Sequence, residues 1–188
     1  WLDHLDISDG SDGVLDITHE SDYITVSYTK VWYARGGGHK NACLVGNRDD
    51  ATHDRGKMRV TFYKCWWADG VMERMPRVRY GKVHVLNNLY TATGNEYCIA
   101  PGVHANIRAE RNIFIDVNRA LAADWYNSSD DATLADIENV FLGSTTGTEG
   151  KYGDPVFEPP YPYIADEPND ALEAEVRASA GATLDLTP

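Results

Sequence analysis

Short strand-like runs recur at irregular intervals through the first 114 residues, and no other feature of this chain restricts its fold as strongly. Runs rich in Val, Ile, Thr and aromatic residues start at Tyr23, Arg59, Val83 and Asn106, spaced by 36, 24 and 23 residues. A second set starts at Val14, Cys43, Pro76 and Tyr97, spaced by 29, 33 and 21. A third, shorter apolar pair closes each unit: Val31–Trp32, Trp66–Trp67, Leu89–Tyr90 and Ile113–Phe114. Three short strands per irregular repeat of this length point to a solenoid. Hairpin turns between the runs are poor and βα alternation is absent, so the reading is all-β, a right-handed parallel β-helix.

Asparagine supports that reading. Asn88 precedes Leu89–Tyr90, and Asn112 precedes Ile113–Phe114 one 24-residue repeat later. Asn tolerates left-handed backbone at a tight bend and bonds locally, so the two are expected to stack. Cys65 and Lys30 take the same place in earlier rungs, which leaves the ladder half present. After Phe114 the periodicity stops. Residues 115–188 are read as covering loops and a short helix over about 171–179, with Asp170 as N-cap, Gly181 just past its end, and the tail closing the open edge of the solenoid. The whole chain, 1–188, is read as a single domain.

Charge is unevenly placed. Residues 1–114 carry 14 acids and 14 bases, whereas residues 115–188 carry 15 acids and three bases, so the net −12 belongs to the tail. Residues 30–82 hold 12 bases against five acids, a local excess suited to an anionic ligand. The overall acidity argues against nucleic acid as a partner. No apolar run approaches the ~20 residues that span a bilayer. Cys43, Cys65 and Cys98 form no CxxC pair and are read as small buried hydrophobes.

At the level of motifs the chain resembles the pectate lyase family, β-helical polysaccharide lyases. The resemblance rests on WLDH (1–4), DGVLDI (12–17), SDYITVSY (21–28), LVG (44–46), GKMRVTF (56–62), RMPRVRYG (74–81) and VHVLNNLY (83–90), in family order across residues 1–114. The ordered set is specific, above all RMPRVRYG followed by VHVLNN. Family members have further coils before WLDH, so the resemblance implies that an N-terminal part of the same protein is a partner of this chain.

Asp12 and Asp16, four residues apart, can bring two carboxylates to one hard-cation site, although calcium takes six to eight oxygens. The resemblance implies that both are Ca2+ ligands. Arg74, Arg77 and Arg79 crowd six residues, and guanidinium forks match uronic-acid carboxylates bidentately. In the family pattern R-x-P-x-x-R, the first arginine is the base and the last binds substrate carboxylate, which implies Arg74 as catalytic residue and Arg79 as substrate-binding, with Arg77 alongside. Arginine as a base asks for crowding by positive charge and alkaline conditions. Lys40 is assigned to the substrate site, although it precedes Gly46 by six residues and Asn41 stands at the family's usual lysine position. Gly36, Gly37 and Gly38 lack the GK[ST] ending of a phosphate loop. The histidines lack zinc spacing, and His84 and His104 are read as packed in strands. There is no G-x-S-x-G elbow, and no opposed carboxylate pair for glycoside hydrolysis apart from the calcium candidates.

The implied function is calcium-dependent β-elimination of polygalacturonate by a secreted enzyme. Two alternatives stand beside it: a pectin lyase acting on methylated pectin without calcium, and a non-catalytic polysaccharide-binding β-helix.

Overall fold

Each turn of the chain is organised around one two-residue bend. In the computed structural model, which describes residues 1–185, a first sheet contains the strands Leu2–Asp3, Ile24–Ser27, Arg59–Tyr63, Lys82–Leu86, Asn106–Glu110 and Thr133–Ile137. Two residues after each begins a strand of a second sheet: Asp6–Ser8, Lys30–Trp32, Trp66–Trp67, Leu89–Tyr90, Ile113–Ile115 and Val140–Leu142. The first residue of every bend is left-handed: His4 (φ 51°), Tyr28 (42°), Lys64 (51°), Asn87 (55°), Arg111 (49°) and Glu138 (53°). Successive turns pair in parallel, so Ile24, Val60, Val83, Ile107 and Leu134 stand in one row. A third sheet of Leu44–Val45, Arg77–Val78 and Ala100–Pro101 completes the cross-section. The result is the expected parallel β-solenoid.

The residues after the bend's left-handed position form the ladder. The side-chain amide of Asn88 donates to Asn112 Oδ1 at 3.0 Å, and that of Asn112 donates to Asn139 Oδ1 at 2.8 Å. The same amides reach inward to the carbonyls of Phe62, Leu86 and Val85. Asn88 and Asn112 are fully buried, and each side-chain oxygen and nitrogen they bring inside has a partner, as buried amides require. Asn139 is a rung the repeat spacing did not disclose. Lys30 is not at the ladder position: it pairs with Trp66, and Thr29 stands level with Cys65, its hydroxyl donating to Ser27 O.

Inside the second sheet, Trp67, Tyr90, Phe114 and Phe141 stack at centroid distances of 6.1, 4.3 and 5.3 Å. Their register is fixed by the strand pairing, and such pairs add about 0.5–1.5 kcal/mol each beyond their buried area. All three cysteines are free and buried.

Two expectations for the tail need correction. The solenoid does not end at Phe114, because Thr133–Ile137 pairs along the full length of Asn106–Glu110 and Val140–Leu142 pairs with Ile113–Ile115. The intervening polar loop hides this turn from periodicity. The helix, Asp170–Ser179, is capped by Asn169, whose side chain accepts from the Ala171 and Leu172 amides; Asp170 lies in the first turn. As expected, the tail reaches the open edge of the solenoid, but the helix does not take that place. Leu172 and Val176, one turn apart, pack on Leu89 and Ile113 at the side of the second sheet. The edge after the last turn is met by Lys151–Tyr152, antiparallel to Thr133–Ile137. Val14–Ile17 contributes only an isolated bridge, Ile17 to Val45.

The tail is laced to the solenoid by ion pairs and tyrosines. Lys64 bonds Asp166 at 2.8 Å and Glu175 at 2.6 Å. Burial works against its charge, but those two carboxylates outweigh it and hold the ammonium firmly protonated. Arg111 bonds Glu138 and Glu167, and Arg108 bonds Glu110 and Glu158. Tyr163 donates to Glu110 Oε2 at 2.9 Å, and the Tyr161 hydroxyl lies 2.9 Å from His84 Nδ1. His84 is fully buried here as expected, whereas His104 stays partly exposed beside Asp131.

Two predictions follow from this architecture. Asn112→Ala strands the Asn88 amide, the Val85 carbonyl and the Asn139 side chain, and should cost about 3 kcal/mol of stability in urea unfolding. Burial, partly offset by Glu110, lowers the His84 pKa to about 4. The unfolded chain takes up this proton as pH falls through about 6.5 and the folded chain only near 4, so stability is lost across that window and levels off below it. The loss is about 3 kcal/mol, and urea titrations between pH 7 and 4 should show it shrink in His84→Gln.

Candidate active site

The third sheet and the turns leading into it collect the expected functional residues on three successive coils. Asp12 bridges His39, and Asn41 bridges Glu73. Val14 N–H donates to Ala42 O at 3.0 Å, and Cys43 N–H donates to Arg74 O at 2.7 Å. Leu44 pairs with Arg77, and Arg79 N–H donates to Val45 O at 2.8 Å. This register places Asp12 and Asp16 on one coil, Lys40 on the next, and Arg74 and Arg79 on the third, along one side of the solenoid.

Both aspartates are exposed, and each is held through one oxygen. Asn41 Nδ2 donates to Asp12 Oδ1 at 3.0 Å, and Leu44 N–H donates to Asp16 Oδ1 at 2.9 Å. Among the described residues, the second oxygen of each carboxylate has no protein hydrogen bond. Tyr33 lies among these acids: burial first, then the charges of Asp9, Asp12 and Asp16, raise its hydroxyl pKa. Among the described residues, no group of three or more His, Cys, Asp or Glu side chains is arranged to hold a metal. The donors present are therefore hard oxygens of the type calcium prefers, but only two of the six to eight it takes.

The three arginines differ in setting. Arg74 is half-buried with φ 65°, and its Nε is buried without a hydrogen-bond partner. Arg79 is anchored: Asp49 accepts from its Nε, and Gly46 O accepts from Nη1 at 3.0 Å. Arg77 is 2% exposed, with Nη2 donating to Tyr126 O at 3.0 Å and the guanidinium 4.6 Å from the Tyr126 ring centre. This corrects its placement among surface-facing substrate contacts, since the 120s loop lies over it. None of the three pairs with the acidic tail among the described residues. The tail acids engage Lys64, Arg108 and Arg111 instead.

Comparison with known proteins agrees with this geometry. The family model described as Pectate lyase matches residues 1–166. The chain belongs to the pectate lyase family. It is 30% identical to pectate lyase E of Dickeya chrysanthemi over 214 residues, covering 96% of this chain and 54% of that protein. It is 36% identical to pectate lyase A of Aspergillus niger over 149 residues, covering 74% and 44%. The chain thus spans about half the length of the curated relatives it matches. Among solved structures, the cedar pollen allergen Jun a 1 superposes with a TM-score of 0.76 at 25% identity, covering 96% of this chain and 53% of that one. A pectate lyase bound to hexasaccharide gives 0.77 at 23%, covering 97% and 51%, a likeness of fold.

Within this pectate lyase fold, Lys40 and Asn41 sit in different settings. Asn41 is buried, and its amide is spent on Asp12. Lys40 is half-buried, and its carbonyl accepts from Met72 N–H at 2.9 Å. Sequence reasoning missed Asp49, which bonds Arg79 and accepts at Oδ2 from Asn127 Nδ2 at 3.0 Å. It also missed Tyr126. Both come from loops without periodicity, so only their polarity and aromaticity could have flagged them.

The glycine of the LVG motif supports Arg79 directly. Gly46 has φ +81°, and a Cβ there would lie 2.8 Å from the Arg79 carbonyl. Gly46→Ala should therefore cost about 1–3 kcal/mol in urea unfolding, and in the full protein it should lower substrate affinity by displacing Arg79.

Proposed function

We propose that this chain contributes the catalytic face of a calcium-dependent pectate lyase, which cleaves polygalacturonate by β-elimination and releases unsaturated oligogalacturonides. The observation that carries the reading is the alignment of Asp12 and Asp16, Lys40, and Arg74 and Arg79 on three adjacent turns, with Arg74 left free of acidic partners among the described residues. The family match gives that alignment its chemistry. Because this chain spans about half of its relatives, the activity is proposed for the whole protein.

The roles are those that the family pattern implies for these positions. Asp12 and Asp16 would hold calcium through their free oxygens, with the remaining donors coming from substrate carboxylate, water and groups beyond these two. When bound, calcium would act as a Lewis acid toward the substrate carboxylate. Arg74 takes the C5 proton. The C5–H electron pair becomes the C4=C5 double bond, and the glycosidic oxygen leaves C4 with its bonding pair and gains a proton. Arg79 and Lys40 hold the negative charge that builds on the carboxylate in the transition state. Anchoring by Asp49 and Gly46 fixes one side of the Arg79 fork, and that preorganisation reduces the entropy lost on binding. Arg77 supports this face from below through Tyr126. A polymer of the plant cell wall places such an enzyme outside the cell. Among the described residues, no helix is long and apolar enough to cross a membrane.

The decisive test uses the full protein and follows the ultraviolet absorbance of the unsaturated product at alkaline pH. Arg74→Lys should lose about 10²–10⁴-fold in turnover while retaining polygalacturonate binding, because lysine keeps the charge and loses the planar fork. Arg79→Lys should weaken binding and rate together. A chelator should abolish activity, and Asp16→Ala should weaken calcium binding in calorimetry. Near-normal turnover by Arg74→Lys would exclude it as the base. Chelator-insensitive cleavage of methylated pectin would assign the protein to the pectin lyases instead.

A further inference from the structure

A cavity of about 490 Å³ lies on the outer face of the first sheet, on a different sheet from the arginine row. Its floor is the sheet itself, where Arg59 and Lys82 are register partners on neighbouring strands and Thr61 lies two residues on from Arg59. One wall is the tail, through Phe157 and Tyr161. The Tyr161 hydroxyl lies 2.6 Å from Thr61 Oγ1 and 2.9 Å from His84 Nδ1, so this wall is pinned to the floor. Tyr23 forms the opposite rim and is 76% exposed, an unusual position for a large aromatic ring. The Arg59 guanidinium sits 4.2 Å from the Tyr23 ring centre.

Arg59 is neutralised by Asp22, which accepts from its Nε at 2.9 Å and also from Nη2. Glu158, exposed on the tail wall, shares Arg108 with Glu110. Lys82 is exposed and has no ion-pair partner among the described residues. The groove thus combines aromatic surfaces, hydroxyls, one unpaired ammonium and an exposed carboxylate. Pockets of this make-up bind ligands with apolar faces and a small number of polar handles.

We propose that this groove is a second saccharide site that holds a short segment of an acidic polysaccharide outside the cleavage site. The C–H face of a uronic-acid ring lies on Tyr23 or on the Phe157–Tyr161 wall, its carboxylate meets Lys82, and its hydroxyls meet Thr61 and the Tyr161 hydroxyl. A neutral saccharide leaves Lys82 unused, and a compact inorganic anion leaves the aromatic rim unused. The choice of a uronate rests on the proposed function above, whereas the groove itself does not. Such a site would keep a long polymer on the enzyme between cuts, by raising its effective concentration at the arginine face.

The test is titration of the full chain with trigalacturonate, followed by residue-resolved NMR. Wild-type protein should show two sets of shifts, one at Tyr23, Thr61 and Lys82 and one around Arg74 and Arg79. Lys82→Glu and Tyr23→Ala alter exposed side chains, and circular dichroism should show their melting unchanged. Each should weaken the groove set by about tenfold or more and leave the other set in place. Arg79→Ala should do the reverse. Absence of groove shifts, or groove shifts untouched by both substitutions, would overturn the proposal. So would equal binding of the fully methyl-esterified trisaccharide in the groove. Groove shifts without any at Arg74 and Arg79 would uphold this site and count against the proposed function instead.

Discussion

The structure depends on one bend repeated in every turn. Two residues separate each first-sheet strand from the second-sheet strand that follows, and the leading residue is left-handed in all six cases. None of the six is glycine, so each costs roughly 1–2 kcal/mol in local backbone energy. Stacking offsets that cost. Each bend places the next residue where its side chain or amide can bond a neighbouring turn; the asparagines at 88 and 112 bond the turns on both sides, and Asn139 ends the ladder by bonding the turn before it. Because the bends superimpose, every other row superimposes as well, including the aromatic stack and the third sheet.

That constraint explains how a site can be assembled from residues distant in sequence. Asp12 and Arg74 are 62 positions apart, yet two coil-to-coil steps of backbone pairing connect their surroundings. The loops between strands do not carry this register. A glycine-rich stretch at 36–38 and a polar loop near 123–131 can differ in length without moving the rows they connect. The loops act on the site locally, through Asp49 on Arg79 and Tyr126 on Arg77.

The limits of what the sequence disclosed follow the same division. Rows were legible wherever a residue type repeated at a coil's length, as with Asn88 and Asn112 or the apolar pairs around them. The last turn was not legible, because a loop of Asp, Ser and Asn separates Ile115 from Thr133 and breaks the spacing. Thr29 at the ladder position was equally hidden, since a hydroxyl satisfies that bend with a different signature from an amide. Asn169 and Asp170 are both good N-cap residues, and adjacency alone could not choose between them. The depth of Arg77 could not be read from RMPRVRYG at all. Its neighbours in the motif give it an arginine's ordinary surface character, and the ring that covers it comes from position 126. The two aspartates and Arg74 were nominated through the resemblance of their motifs to a family, whereas Asp49 reaches Arg79 across a loop that belongs to no motif.

The acidic tail has a consequence for how the molecule meets a polyanion. Its carboxylates are spent on Lys64, Arg108 and Arg111, cations of the first sheet and the bend beside it. Those cations are neutralised, whereas Lys40, Arg74 and Lys82 have no acidic partner among the described residues. Under the proposed function, a chain with a net charge of −12 repels a negatively charged polymer over much of its surface and admits it where these cations stand. At separations within a Debye length of about 8–10 Å, the long-range field orients the approaching strand before any contact forms. Under that reading, a surplus of acid serves to aim an anionic ligand.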